Sequence, residues 1–196
     1  MAGWSYEDWQ GIVYPRGLAP GARLPYLASF FDCIEINSSF YALPRPETAA
    51  RWAAQVRDAP GFLFTCKLLS SITHKGSDEA LAPFRAAVEV RNRSWMEPGN
   101  RESFLSLLRS ANIAYVAVDE PELAWTVGRD FPVTASWGAV VRFPGRNSEA
   151  WSRRGATVAE RFRYNYTDAE LLSWEAPVRE AASRAERLFL MFNNCF

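Results

Sequence analysis

Short apolar runs that recur between helix-patterned stretches constrain this chain more than any other feature. The runs are Cys33 to Ser38 (CIEINS), Phe62 to Leu68 (FLFTCKL), Ala87 to Arg91 (AVEVR), Tyr115 to Asp119 (YVAVD), Ala139 to Phe143 (AVVRF) and Leu188 to Phe192 (LFLMF). Each is apolar on both alternating faces, which suits parallel strands covered by helices better than half-exposed antiparallel strands. Between them, Pro46 fits a first helical position, with Ala49, Trp52, Ala53 and Val56 following at helical spacing. Asn100 suits the N-cap of a helix carrying Phe104, Leu107, Leu108 and Ala111, and Asn112 suits its end. Thr167 and Glu170 have capping-box spacing ahead of Leu171, Leu172 and Trp174, and Pro177 should kink or divide that helix. Strand–helix–strand order repeated in this way predicts right-handed crossovers and a parallel sheet, open or closed into a barrel.

The 196 residues suffice for one domain with a real core, and 48% hydrophobic with 22% charged residues is a globular composition. The net charge of +0 implies no global pull toward nucleic acid or membrane. All basic residues but Lys67 and Lys75 are arginine, a bias that codon usage alone would produce. The three cysteines, Cys33, Cys66 and Cys195, form no C-x-x-C pair and read as reduced, buried thiols of a cytoplasmic protein. No signal peptide and no membrane-spanning run is expected. His74 is the single histidine, so multi-histidine metal sites are excluded.

Polar residues inside or just after the apolar runs carry the functional signal. Glu35 and Asn37 share one face of their strand, as Glu89 and Arg91 do of theirs, because side chains alternate with period two. Lys67, Asp119 and Arg142 lie late in their strands, and Asn193 and Asn194 follow the last. A charge among apolar neighbours is costly unless it is paired or wetted, and ligands of parallel α/β folds bind at the carboxyl ends of strands. The competing reading is a salt-bridge network that only fills space, though such networks add little stability over apolar packing. Trp4, Tyr6 and Trp9 have two readings as well, pocket lining or core.

Several ordered motifs carry a resemblance: Gly3-Trp-Ser-Tyr6, Glu35-Ile-Asn-Ser-Ser-Phe-Tyr41, Ile72-Thr-His74, Val88-Glu-Val-Arg-Asn-Arg-Ser-Trp95, Val118-Asp-Glu-Pro121, Val141-Arg-Phe-Pro-Gly-Arg146, Tyr164-Asn-Tyr-Thr167 and Phe192-Asn-Asn194. With them the chain resembles the YecE-like family, domain of unknown function 72, nearly end to end. The resemblance implies a single TIM-type (β/α) barrel domain over residues 1–196 and brings no known reaction. Three departures point to an incomplete barrel of about six to seven parallel strands. Little precedes Gly3, a strand–helix unit is missing between His74 and Val88 (only Asp78 to Ala86 is helix-like there), and no helix follows Asn194. A histidine common in the family is replaced here by Pro144. An incomplete sheet would leave apolar surface and an edge open to self-association.

The expected function is therefore that of an enzyme, with hydrolysis of a phosphodiester or phosphorylated sugar as the model, acting on a polar anionic substrate at the strand ends. Glu35 and Glu89 would be acid and base, with His74 as accessory. Lys67, Arg91 and Arg142 would bind negative charge, and Asn37 and Asn194 would orient the substrate. Tyr41, Trp95, Asp119 and Asn193, all within these motifs, complete the substrate-binding set. The alternatives are an inactive, degraded barrel or a non-catalytic nucleic-acid-binding module. The module would use the segment from Arg142 to Tyr166, in which six arginines alternate with aromatics that could stack bases. The rival for that segment is a loop whose aromatics pack on the rim. The sequence assigns no cofactor; a metal, if bound, would be a hard cation such as Mg²⁺ or Mn²⁺ on Glu35, Glu89 and Asp119. The partners to expect are a small-molecule or nucleic-acid substrate and a second copy of the chain, with no membrane.

Overall fold

The apolar runs become strands in a computed structural model that describes residues 3–42, 44–67 and 85–194. The chain divides into two compact units, Met1–Ala82 and Pro83–Phe196. The fold is mixed α/β, and every strand pairing among the described residues is parallel.

In the first unit, α1 (Arg23–Ala28) precedes β1 (Cys33–Ile36), and α2 (Pro46–Gln55) leads to β2 (Leu63–Cys66). Pro46 opens α2 as expected, because the first helical N–H has no partner inside the helix. The two strands pair in register from Cys33↔Leu63 to Ile36↔Cys66. Ile34 and Phe64, side by side in that register, face a core built with Tyr14, Leu24, Leu27 and Val56. Of the opening aromatics, Trp4 and Trp9 pack against this core, whereas Tyr6 is exposed and meets the Trp9 ring. Trp4 meets Trp52 edge to face with centroids 5.2 Å apart, and the Tyr14 hydroxyl donates to the Trp4 carbonyl at 2.7 Å. Arg23, buried beneath them, donates to both oxygens of Glu7 at 2.8 and 2.9 Å. The thiols are less sheltered than expected: Cys33 is partly buried and Cys66 is exposed, because Cys66 closes its strand.

The second unit is a four-stranded sheet in the order β3-β4-β5-β6, with β3 (Ala87–Val88), β4 (Ala114–Val118), β5 (Ala139–Phe143) and β6 (Leu188–Phe192). Helix α3 (Pro98–Ser110) lays Phe104, Leu105 and Leu108 against Tyr115, Ala117, Val141 and Phe143. Its start differs from expectation. Glu97 is the N-cap and Pro98 opens the helix, so Asn100 lies inside the first turn and its amide donates to the Ser94 carbonyl at 2.8 Å. Proline's preference for the first helical position outweighs the cap preference of asparagine two residues on.

Asn112 ends this helical stretch as expected. Its φ is +51°, and its Oδ1 accepts the Ser136 N–H at 2.9 Å. Asn112→Ala combines a left-handed backbone with a lost acceptor and is expected to destabilise by about 1–3 kcal/mol. Asn112→Gly removes only the acceptor, so it should cost less. Urea melts of the two variants check this, and equal losses would count against the backbone argument.

After β5 come α4 (Ser148–Ser152), α5 (Val158–Phe162), α6 (Asp168–Leu172) and α7 (Glu175–Arg184). Thr167 and Glu170 form the expected capping box. The helical stretch divides at Ser173 and Trp174, which leaves Pro177 in the first turn of α7, where a missing N–H is harmless. Trp174 is buried in the core under α3. On the outer strand β6, Leu190 and Phe192 remain 42% and 43% exposed.

Candidate functional site

Register decides which side chains can meet. Aligned residues of parallel strands share a face, so Val118, Arg142 and Met191 lie side by side, as do Val116, Val140 and Phe189 one step toward the amino ends. Continuing the β3–β4 register from Val88↔Tyr115 puts Glu89 in the same row as Val116. Alternate residues, Tyr115, Ala117, Val141 and Phe143, face the helices. The face opposite the helices is apolar at its amino end, where Trp137 packs with Ala114, Ala135, Val140 and Phe189. It turns polar at its carboxyl end.

There Glu89 is shared by two arginines. Arg91 Nε bonds one carboxylate oxygen at 2.8 Å, and a terminal nitrogen of Arg142 bonds the other. Arg142 Nε donates to Asn193 Oδ1 at 2.9 Å, which fixes the plane of its guanidinium. The Glu89 and Arg142 side chains are mostly buried, whereas that of Arg91 is 72% exposed. The group carries one net positive charge and opens to solvent on the Arg91 side.

Glu120, absent from the sequence-derived set, belongs with these residues. It is buried, and its Oε1 accepts the Val127 N–H at 2.9 Å. Burial pushes its carboxyl above the usual carboxylate range, and the Glu89 charge adds to that. The Val127 N–H, Arg91 and Arg142 pull the other way. The signal was present in the sequence as a second acid directly after Asp119, on the opposite face by alternation.

Asp119 sits on the helix side. Its oxygens take Arg146 Nε at 2.8 Å, a terminal nitrogen of Arg146 at 2.9 Å and the Trp174 indole N–H at 3.0 Å, with Arg129 Nε 3.7 Å away. Its carbonyl accepts the Tyr166 hydroxyl at 3.2 Å, and Tyr166 in turn accepts the Gly145 N–H at 2.9 Å. Burial, reinforced by the Asp119 charge, pushes the Tyr166 phenol up, so it stays protonated and able to donate. Asn194 Nδ2 donates to the Tyr164 carbonyl at 2.9 Å. Trp95 is half exposed against Phe104, and its loop is tied through Arg93 N–H to the carbonyl of Trp125, another exposed indole.

In the first unit, Glu35 aligns with Thr65, and Asn37 and Lys67 follow directly after the two strands, Asn37 with helical backbone. Ser39 Oγ lies 2.7 Å from the Ile36 carbonyl and 2.8 Å from that of Lys67, and so ties the two strand ends. Asn37 Oδ1 and Thr65 Oγ1 are buried without a partner among the described residues. Tyr41 is 81% exposed. His74 and most of the stretch from Asp78 to Ala86 lie outside the described residues. Among the described residues no three His, Cys, Asp or Glu side chains gather into a cation site. No helix among them is long and apolar enough to cross a membrane.

The aromatics from Arg142 to Tyr166 turn inward. Phe143 is buried, Trp151 packs on Phe162 and donates to the Arg161 carbonyl at 3.1 Å, and Tyr166 meets Phe143 edge to face. Trp151, Phe162, Tyr164 and Tyr166 remain partly exposed.

This parallel α/β arrangement is shared with proteins already grouped as a family. The family model described as "Protein of unknown function DUF72" matches residues 1–86 and 77–196. The chain belongs to that family. It is similar to the UPF0759 protein YunF of Bacillus subtilis, 22% identical over 248 residues that cover 99% of this chain and 87% of the relative. It is similar to the UPF0759 protein YecE of Escherichia coli over 74 residues, 34% identical, covering 38% of this chain and 24% of that protein. Among solved structures, a DUF72 family protein of Thermotoga maritima superposes with a TM-score of 0.77 at 28% identity, over 100% of this chain and 91% of the other. One from Enterococcus faecalis gives 0.80 at 22% identity, over 99% and 87%. The YunF match is longer than this chain's 196 residues, so the relative has internal residues with no counterpart here.

Proposed function

We propose that the protein is an enzyme that binds a phosphate-bearing, polar substrate at the carboxyl end of the four-stranded sheet. The observation that carries this reading is Glu89 held between Arg91 and Arg142, with Asn193 orienting Arg142. A purely space-filling pair would need one arginine. Here a second, exposed guanidinium leaves a net positive charge facing solvent, and a planar fork of that kind suits phosphate oxygens. Glu89 is the general base, and Glu120, whose burial favours the protonated carboxyl, supplies a proton. The exposed Trp95 and Trp125 offer flat apolar faces beside the charge. Glu35, Asn37 and Lys67 form the corresponding polar edge of the first unit, and His74 is assigned as accessory. Asp119, saturated by protein donors, positions Arg146 and Trp174 rather than substrate.

The six parallel strands among the described residues, alternating with helices, support an incomplete TIM-type (β/α) barrel of about six to seven strands as the fold we propose. The two family matches that meet at residues 77–86 support a missing strand–helix unit there.

A panel of phosphodiesters and phosphorylated sugars, assayed for turnover, tests the function. Once a substrate is found, Glu89→Gln is expected to lower kcat about 10²–10⁴-fold. Arg91→Ala should raise KM by removing the exposed guanidinium and also alter kcat by releasing the Glu89 oxygen that Arg91 holds. A folded Glu89→Gln variant with undiminished turnover would end this reading.

A further inference from the structure

Two loops leave the carboxyl end of the four-stranded sheet, one after β3 and one after β4, and hydrogen bonds join them. The Arg93 N–H donates to the Trp125 carbonyl at 2.9 Å, and Arg93 Nη1 donates to the Ala124 carbonyl at 3.2 Å. Two residues past Trp125, the Val127 N–H donates to the carboxylate of buried Glu120 at 2.9 Å. The backbone around Trp125 is therefore fixed from both loops, yet its side chain stays 45% exposed. Among the described residues the Trp125 indole makes no ring contact and no hydrogen bond, whereas the neighbouring Trp95 leans on Phe104 with centroids 5.1 Å apart. A fixed backbone that holds a large apolar ring out in water forgoes the burial that such a ring usually gains.

The polar groups of this loop are turned inward. Thr126 Oγ1 lies 2.8 Å from the Pro121 carbonyl, 3.0 Å from that of Leu123 and 2.8 Å from the Leu123 N–H. Glu120 holds Val127, and Glu122 is paired with Arg129 at 2.8 Å. Leu123 and Ala124 bring only apolar side chains. Sugar hydroxyls beside the indole would find few free donors or acceptors, while a flat aromatic ring needs none. Charge stands close by. Arg91 precedes Arg93 across extended Asn92, a span of about 7 Å, and the Arg91 side chain is the most exposed of the Glu89 cluster.

We propose that Trp125 is a stacking platform for an aromatic ring of the substrate, and that the ligand class is a phosphate ester carrying a flat aromatic base, such as a nucleoside monophosphate. This rests on the reading of the Glu89 cluster as a phosphate site and narrows it. The phosphate lies on Arg91, and the base lies on the open face of Trp125, which Arg93 holds in place through two consecutive carbonyls.

Titration calorimetry of the full chain with adenosine monophosphate, ribose phosphate and inorganic phosphate tests this. The wild type binds adenosine monophosphate at least about tenfold more tightly than ribose phosphate, which lacks the base. In Trp125→Ala the ratio of the two affinities falls toward one, and Trp125→Phe, which keeps a ring, retains most of it. Arg91→Ala weakens both ligands and preserves the ratio. Both side chains are exposed, so the variants fold, and circular dichroism verifies this. Equal affinities for the two ligands in the wild type, or a wild-type ratio in Trp125→Ala, overturn the aromatic platform and leave the phosphate site standing. An Arg91→Ala variant that binds both ligands as the wild type does also overturns it, because the platform is then separated from the charge. No heat from any of the three ligands removes the phosphate site itself, and the platform falls with it.

Discussion

Asp119→Ala is expected to destabilise the protein by about 3–5 kcal/mol, a large part of the stability of an ordinary domain. The carboxylate is fully buried, and its removal strands the Arg146 guanidinium, the Trp174 indole N–H and the approach of Arg129 at once. The penalty comes from the unpaired donors left behind more than from the bonds lost. Asp119→Asn keeps the shape and one acceptor oxygen, so it should cost less. For a chain of this size, the alanine variant corresponds to a fall in Tm of about 10 °C. Urea and thermal unfolding of both variants provide the measurement. A loss below about 1 kcal/mol would mean that solvent reaches Arg146 freely and that the site is looser than its geometry implies.

Gly145→Ala should rank next, at about 3–5 kcal/mol, for two separable reasons. Gly145 has φ +99°, a conformation that side chains avoid, and a Cβ there would lie 2.4 Å from Tyr164 Cβ. Relief of that clash requires moving the backbone that donates Gly145 N–H to Tyr166 and carries Arg146 to Asp119. Gly17→Ala isolates the first reason, because φ is +81° and nothing lies within 4 Å of its Cβ position. That variant should cost only about 1–2 kcal/mol. Equal losses at the two glycines, measured by chemical denaturation, would show that the Tyr164 contact yields without penalty.

The strands were legible because burial on both faces leaves a continuous apolar run, and β1, β2, β4, β5 and β6 fall within a residue or two of those runs. The Thr167 cap and the Asn112 turn were legible for a local reason, since the cap forms within three residues and the turn needs a residue that tolerates positive φ. Asn100 misled because two local preferences competed and proline's prevailed. The site was legible by type more than by face. Alternation places Glu89 with Arg91, but only the register brings Arg142 to the same face and shows that Asp119 turns to the helices while Glu120 turns to the polar edge. Asp119 meets Arg146 and Trp174 across 27 and 55 residues of sequence, and no local pattern encodes such pairings.

The excursion between β5 and α6 has a practical use. Asn147 bonds the carbonyls of Glu160 and Arg163, Trp151 bonds that of Arg161, and Thr157 caps its own short helix, so the segment is stitched mainly to itself. Its tip, Arg153 to Gly155, is exposed, and a Cβ on Gly155 would meet nothing within 4 Å. Exposed tips held by a stitched base accept inserted sequence readily. A peptide tag or fluorophore grafted there would report on the protein while leaving the Glu89 and Asp119 clusters untouched, which makes this tip the natural handle for immobilising the chain in a substrate screen.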